Sequence, residues 1–252
     1  MSHHIAKKCF GQNFLTNAFI IHEIVKTIQP KKDELLVEIG PGLAALTRPI
    51  LELSGILHVI ELDRDIIKFL KNNFSDNLVI HEGDALKFDY TFNQQKIRVI
   101  GNLPYNISTP LLFHLSQYQN ITDMHFMLQK EVVDRICAKP NNGDYGRLTV
   151  MLQYRFNCFK MLDVNRDCFE PIPKVESAIV RLIPRPIEEW DTINAIKLNQ
   201  VVGSAFSQRR KTIHNSLKNV VAADIFEKLN IDVKKRAENL TVSEFIQLSA
   251  HI

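Results

Sequence analysis

The chain has 252 residues, with 31 Lys and Arg against 28 Asp and Glu and a net charge of +3. Its length and its 45% hydrophobic content are enough to bury one large domain and a smaller one. The slight basic excess permits a nucleic-acid partner without requiring one. The sequence has neither an apolar run of about 18 residues nor a signal-peptide core, so we expect no membrane span and no export.

The four cysteines are scattered along the chain and form no Cys-x-x-Cys pair. No cluster of histidines accompanies them. This distribution predicts reduced thiols, a cytoplasmic location and no metal site.

The residues before the first predicted helix are polar and basic and end in Phe10-Gly-Gln-Asn-Phe-Leu15. Two aromatic rings and a leucine around polar side chains predict an arm that folds back on the body of the protein. The helix that follows is predicted over residues 17–28, because its apolar residues share one face and Pro30 ends it.

Residues 34–53 read as a strand, a glycine loop beginning at Gly40, and a helix, which is the opening of a Rossmann-like unit. Glycine lets the backbone approach a ligand closely, and the helix start offers unpaired N–H groups. The next predicted strand, 56–62, carries Glu61 about 20 residues after Gly40, a spacing that suits a ribose diol. A third strand near 78–81 leads to Asp84, which is placed to accept a hydrogen bond from an adenine amino group.

The glycine loop also meets the relaxed dinucleotide pattern Gly-x-Gly-x-x-Ala, so a nicotinamide oxidoreductase is a competing interpretation. S-adenosylmethionine contains the same ribose and adenine but no pyrophosphate. Glycines at one strand end and carboxylates at the next two fit that cofactor, and no constellation for hydride transfer is evident.

The segment most informative about chemistry is Ile100-Gly-Asn-Leu-Pro-Tyr-Asn-Ile-Ser-Thr-Pro110, between a strand predicted over 96–101 and a helix over 111–118 capped by Ser108. Pro104 favours an extended Leu103 with an outward carbonyl. This carbonyl and the Asn102 side-chain oxygen form two acceptors beside the Tyr105 ring. Such a set suits an exocyclic amine on a nucleobase, whose lone pair is freed when both of its hydrogens are accepted.

From these four residues alone, an ordinary strand-end turn stays an open alternative. Phe169, on a proline-rich turn over 169–177, is a candidate second ring that sandwiches a flipped base against Tyr105, the alternative being a core phenylalanine. Stacking is worth about 1–3 kcal/mol per base, and two rings would roughly offset the few kcal/mol needed to extrude it.

The pattern changes at Pro184-Arg-Pro186, after which only helices are predicted. We therefore expect a first domain over 1–185 and a helical domain over 186–252. Between two of its helices lie adjacent cations that are candidates for holding RNA phosphates, although a solvated helix start explains them equally well. These cations are Arg209, Arg210 and Lys211.

Taken together, the motifs resemble in order and spacing those of the ribosomal RNA adenine N6,N6-dimethyltransferases, over essentially the whole chain. Two further segments, 125–133 and 145–149, are similar to the bacterial small-subunit enzymes of that family. The motifs are Phe10-Gly-Gln-Asn-Phe-Leu15, Glu38-Ile-Gly-Pro-Gly42, Glu61-Leu-Asp63, Gly83-Asp84-Ala85, Asn102-Leu-Pro-Tyr105 and Phe169-x-Pro-x-Pro-Lys-Val-x-Ser177. One departure is Ala44, which stands where the broad methyltransferase pattern has a third glycine.

The resemblance implies an α/β fold, a Rossmann-like S-adenosylmethionine-dependent methyltransferase domain with a small all-helical C-terminal domain. It implies methyl transfer to N6 of two adjacent adenines near the 3′ end of small-subunit rRNA, in a small ribosomal subunit or its precursor, by a monomer. An RNA-binding assembly factor with secondary or lost catalysis is the alternative. The implied cofactor contacts are Asn13, Leu15, Gly40, Glu61, Asp84 and Asn102, with Asn102 and Tyr105 also at the target base.

Overall fold

The computed structural model describes residues 12–208 and 210–252, which group into two compact units. The first contains the chain up to Val133 together with Phe159–Ile183, and the second contains Asp134–Cys158 and Pro184–Ile252. The chain passes from the first unit to the second for the last time at Pro184, close to the predicted boundary at 185. The segment 134–158, however, was predicted in the first domain and groups with the second, because its helix packs against helices of the C-terminal part.

Nine strands are present in the described residues, and their order along the chain alternates with helices up to residue 137. This alternation confirms the predicted α/β class. The strands are β1 (Phe14–Leu15), β2 (Leu35–Ile39), β3 (Leu57–Glu61), β4 (Leu78–Glu82), β5 (Ile97–Asn102), β6 (Ile121–Gln129), β7 (Phe156–Val164), β8 (Phe169–Glu170) and β9 (Ser177–Pro184).

Seven of the strands form one sheet in the order β4-β3-β2-β5-β6-β9-β7. The pairs from β4 through to β6 are parallel, whereas β9 runs antiparallel to β6. The chain leaves β2 towards β3 and β4 and then returns to the other side of β2 as β5. The gap between the carboxyl ends of β2 and β5 is therefore the point where strand order reverses, where open α/β sheets bind ligands.

The helices predicted over 17–28 and 111–118 are both present and begin at Ala18 and Ser108. The first and the last helix have side-chain caps. Asn17 caps the first helix through its side chain, and Thr241 forms a capping box with Glu244 at the last. The helices are α1 (Ala18–Ile28), α2 (Thr47–Ser54), α3 (Arg64–Asn73), α4 (Ser108–Leu115), α5 (Lys130–Cys137), α6 (Arg147–Gln153), α7 (Ala195–Phe206), α8 (Ile213–Leu217), α9 (Ala223–Lys228) and α10 (Val242–Ser249).

One predicted cap is wrong. Ile107 occupies the cap position of α4 and Ser108 is the first residue of the helix. The Ser108 hydroxyl instead donates to the Tyr105 carbonyl oxygen at 3.1 Å. None of the helices in the described part of the chain is both long and apolar enough to cross a lipid bilayer.

The core of the first unit lies on both faces of the sheet, because the central strands β2, β5 and β6 have runs of consecutive buried residues. In the second unit, α6, α7 and α10 pack together. Their core includes Phe206 and Phe245, whose ring centroids are 5.7 Å apart.

Candidate active site

A cavity of about 370 Å³ opens within the first unit at the carboxyl ends of the parallel strands. It lies at the point where strand order reverses, between β2 and β5. All six residues predicted to contact the cofactor line it: Asn13, Leu15, Gly40, Glu61, Asp84 and Asn102.

The floor of the cavity depends on the close approach of β2 to β5. A Cβ atom at Gly101 would lie 2.4 Å from the carbonyl oxygen of Ile39, closer than any side chain tolerates. Gly101 is therefore required by its neighbour strand, and it brings the next residue, Asn102, to the cavity wall. Gly40 faces Asn102 from the end of β2, and a Cβ added there would lie 3.8 Å from the Asn102 carbonyl oxygen.

The loop after β2 runs through left-handed backbone at Gly40, Gly42 and Ala44, with φ values of 67°, 53° and 67°. A Cβ at Gly42 would come within 3.2 Å of the Phe14 ring. Ala44 is 3% exposed and holds the left-handed conformation despite its methyl group. A left-handed conformation at a residue other than glycine costs about 1–2 kcal/mol of backbone strain, which the rest of the fold offsets.

The described end of the N-terminal arm folds back on the body, as predicted. β1 pairs antiparallel with β8, and the Thr16 amide donates to the Cys168 carbonyl oxygen at 2.8 Å. Gln12 Nε2 donates to Asp63 Oδ2 at 3.0 Å. Phe10 and Gly11, which also belong to the arm motif, lie outside the described residues.

Asn102 is oriented by this arm. Its side-chain Nδ2 donates to the Asn13 carbonyl oxygen at 3.1 Å, which turns Oδ1 of the same amide away from Asn13. The neighbouring Leu103 amide donates to the Met127 carbonyl oxygen at 3.2 Å. The Leu103 carbonyl oxygen accepts no hydrogen bond from the residues that the structure describes. Both residues line the cavity, and their joint role as acceptors of one amino group stays a prediction.

Tyr105 lines the cavity next to these acceptors. Its hydroxyl shares a hydrogen bond of 2.9 Å with the Ser177 hydroxyl. Burial raises the pKa of the Tyr105 phenol, although the hydrogen bond to Ser177 opposes this shift. The phenol stays neutral at physiological pH, and its ring is held beside the cavity.

Glu61 and Asp84 each have one oxygen engaged by the backbone. Glu61 Oε1 accepts from the amides of Leu62 and Asp63 at 2.7 and 2.8 Å. Burial raises the pKa of Glu61, while these backbone donors lower it. Asp84 Oδ1 accepts from the Leu86 amide at 2.9 Å. These bonds fix both side chains at the cavity wall, and the Gly42 amide, on the glycine loop, also lowers the pKa of Glu61.

Glu38 is a site residue that the sequence analysis quoted in a motif without giving it a role. It lines the cavity, is 2% exposed, and its Oε2 finds no hydrogen-bond partner among the described residues. Burial raises its pKa from 4.5 to about 7, the neighbouring Thr47 hydroxyl opposes this shift, and the nearby Glu61 adds to it. A buried carboxylate of this kind needs a cationic or donor partner. The signal was present in the sequence, as an acid inside the otherwise apolar strand β2.

The structure corrects the predicted role of Phe169. Its side chain is 3% exposed, belongs to the hydrophobic core and is absent from the cavity wall. The cause is the pairing of β8 with β1, which sets Phe169 opposite Leu15. The alternative considered for this residue, a core phenylalanine, describes what is observed.

Of the three cations predicted to contact RNA, Arg209 lies outside the described residues. Arg210 and Lys211 are exposed and lie between α7 and α8 in the second unit. Their side chains are therefore accessible to RNA, and the phosphate contact stays a prediction. In the described part of the chain, no three His, Cys, Asp or Glu side chains are grouped as metal ligands.

Sequence comparison gives a family match over nearly the whole chain. The family model described as ribosomal RNA adenine dimethylase matches residues 3–252. The chain is 54% identical to ribosomal RNA small subunit methyltransferase A of Laribacter hongkongensis, covering 99% of this chain and 97% of the relative. It is 51% identical to the protein of the same name from Chromobacterium violaceum, covering 100% and 97%.

Solved structures give the same fold. A dimethyladenosine transferase from Plasmodium falciparum superposes with a TM-score of 0.81 at 29% identity, covering 93% of this chain and 95% of the other. The 23S rRNA methyltransferase ErmE superposes with a TM-score of 0.74 at 22% identity, covering 95% and 99%. The second likeness supports the fold alone.

Proposed function

Since the chain belongs to the ribosomal RNA adenine dimethylase family, we propose that it transfers methyl groups from S-adenosylmethionine to N6 of adenines in small-subunit rRNA. It is an S-adenosylmethionine-dependent methyltransferase with a Rossmann-like domain. Family membership favours this function over an assembly factor without catalysis and over a nicotinamide oxidoreductase. One observation supports it most directly: the Asn102 side chain on the cavity wall donates through Nδ2 to the Asn13 carbonyl oxygen, which leaves its Oδ1 to accept from a substrate amine.

The cavity fits the proposed cofactor. The glycines after β2 leave space that a Cβ would fill, which suits close approach of a ligand to backbone. The carboxylates of Glu61 and Asp84, both on the cavity wall, suit a ribose diol and an adenine amino group. The unpartnered Glu38 Oε2 suits the ammonium group of the cofactor's amino-acid portion. S-adenosylmethionine supplies the methyl group from a sulfonium, so the accepting nitrogen must present a free lone pair.

Asn102 and Leu103 supply that condition. In the first transfer, Asn102 Oδ1 and the Leu103 carbonyl oxygen each accept one hydrogen of the adenine amine, which draws the nitrogen out of conjugation and towards a tetrahedral shape. In the second transfer the monomethylated amine has one hydrogen left, and one of these oxygens accepts it. Because Asn13 holds the amide in place beforehand, little reorganisation is needed when charge develops. Tyr105 provides the stacking face for the base. No general base is needed, since the cationic nitrogen releases its proton to water.

The target bases are two adjacent adenines near the 3′ end of the small-subunit rRNA. The substrate is a small ribosomal subunit or its precursor, bound in part by Arg209, Arg210 and Lys211 as phosphate contacts. The protein acts as a monomer in the cytoplasm. These statements rest on the family resemblance and on the exposure of Arg210 and Lys211.

Transfer of labelled methyl from S-adenosylmethionine to unmodified small subunits, followed by nucleoside analysis, tests the proposed function. The expected product is N6,N6-dimethyladenosine. Asn102→Ala is expected to keep the fold and to lower transfer by about a hundredfold or more, as for loss of one oriented dipole. Asn73→Ala removes an exposed asparagine of α3 and serves as the matched control. Full methylation by Asn102→Ala would refute the assigned role, and tight subunit binding without any transfer by the wild type would favour the assembly factor.

A further inference from the structure

The shared hydrogen bond between Tyr105 and Ser177 connects the candidate base platform to the sheet. The two hydroxyl oxygens are 2.9 Å apart. Ser177 is completely buried, at 0% exposure, whereas Tyr105 is partly exposed on the cavity wall. The serine therefore meets the ring from the protein side and does not itself line the cavity.

The Ser177 hydroxyl is in a fixed position. Ser177 is the first residue of β9 and lies opposite Gln129 in the β6–β9 pair. The carbonyl oxygen of the preceding residue, Glu176, accepts from the Lys130 amide at 2.9 Å. The backbone on each side of the serine is thus anchored to the same neighbouring segment, and its short side chain has a single rotatable bond to the hydroxyl oxygen.

The other end of Tyr105 is also fixed. Its carbonyl oxygen accepts from the Ser108 hydroxyl at 3.1 Å, and the Ile107 amide closes the turn by donating to the Pro104 carbonyl oxygen at 3.2 Å. A tyrosine held at both its backbone and its hydroxyl loses little side-chain entropy when a base stacks on it. A ring held only by the backbone would still rotate about two side-chain bonds.

We propose that Ser177 is a positioning residue for the target base, and that it holds the Tyr105 ring in its stacking orientation through the shared hydrogen bond. This inference rests on the proposed function of the same cavity. Ser177 itself touches neither the base nor the cofactor. Its effect is therefore expected in the reaction with RNA and not in the binding of S-adenosylmethionine.

A double-mutant cycle separates positioning from a simple contribution to stability. The variants are Ser177→Ala, Tyr105→Phe and the two combined, each assayed for kcat and KM with unmodified small subunits and for the Kd of S-adenosylmethionine. Ser54→Ala is the matched control, because Ser54 is also buried and its hydroxyl donates to the Ile56 carbonyl oxygen at 3.0 Å. All measurements are made below the unfolding transition of the least stable variant.

Each single variant is expected to lower kcat/KM about three- to tenfold, the range of one net hydrogen bond. The kcat/KM of the double variant is expected to equal that of the less active single variant, because both substitutions break the same hydrogen bond. The Kd of S-adenosylmethionine stays unchanged in all of them, and Ser54→Ala retains wild-type kcat/KM.

If the reductions in kcat/KM of the two single variants multiply in the double variant, the positioning role is wrong. A Ser177→Ala protein with lowered stability but wild-type kcat/KM would also overturn it. Neither result would affect the proposed function. If Ser177→Ala does not fold, Tyr105→Phe carries the test, since it keeps the ring and removes only the hydroxyl. Wild-type kcat/KM in that variant would overturn the inference, and the expected loss would support it. Absence of transfer by the wild-type protein would refute the proposed function and this inference with it.

Discussion

Glu38→Gln is the substitution whose effect can be worked out most fully from the structure. The carboxylate is 2% exposed on the cavity wall, and its Oε2 is unpartnered among the described residues. Glutamine has nearly the same size and shape but carries no charge. The substitution therefore removes the cost of an ionised buried group while preserving the packing around β2.

The magnitude follows from the pKa of Glu38, which burial raises from 4.5 to about 7. Between these two values the folded protein holds a proton that the unfolded chain has released, so the free energy of unfolding falls as pH rises through this window. At about 1.4 kcal/mol for each pH unit between 4.5 and about 7, ionised Glu38 costs the folded state about 3 kcal/mol above pH 7.

Urea unfolding of the ligand-free proteins at pH 4 and pH 8 measures this difference. The expected result is a Glu38→Gln protein about 3 kcal/mol more stable than the wild type at pH 8 and equal to it at pH 4. Glu52→Gln, at an exposed glutamate of α2, is the matched control. The same Glu38→Gln protein is expected to bind S-adenosylmethionine more weakly. A stability difference that does not change with pH would refute the reasoning.

The remaining predictions concern a close backbone contact, a core ring and two exposed cations. Gly101→Ala forces a Cβ to within 2.4 Å of the Ile39 carbonyl oxygen and is expected to lower the free energy of unfolding by about 1–3 kcal/mol or more, measured by urea unfolding. Phe169→Ala is expected to lower the free energy of unfolding by about 3–5 kcal/mol, because it removes a core ring, and to leave kcat/KM of the folded protein near the wild-type value. A lowered kcat/KM at unchanged stability would instead support the stacking role. Replacing Arg210 and Lys211 together by alanine is expected to weaken subunit binding and to reduce the slope of log Kd against log salt by about 1 for each cation, and an unchanged slope would show that they do not contact phosphate.

Much of the fold could be predicted because the decisive signals are local. Alternating strands and helices follow from apolar periodicity and from glycine and proline at their ends. The same signals placed Gly40, Glu61, Asp84 and Asn102 after successive strands. Parallel strands bring their carboxyl ends to one edge of the sheet, so the sequence predicted that these residues meet in one cavity.

The grouping of residues 134–158 was beyond the reach of such signals. The helix α6 of this segment packs against α7 and α10, so the unit to which it belongs depends on partners far along the chain. The same holds for Ser108, whose hydroxyl bonds the Tyr105 carbonyl oxygen rather than capping α4. Local propensity identifies candidates for a cap, and the surrounding turn selects among them.

The sequence by itself predicted the α/β class, a ligand site at the carboxyl ends of the parallel strands, and the four residues from Asn102 to Tyr105 as candidates for the chemistry. Only the tertiary structure decided that Asn13 orients the Asn102 amide, that Glu38 is buried on the cavity wall, and that Phe169 lies in the core. The physical reason is that strand ends are fixed by patterns within a few residues, whereas burial and hydrogen-bond partners arise from contacts between segments distant in the chain, such as β1 with β8.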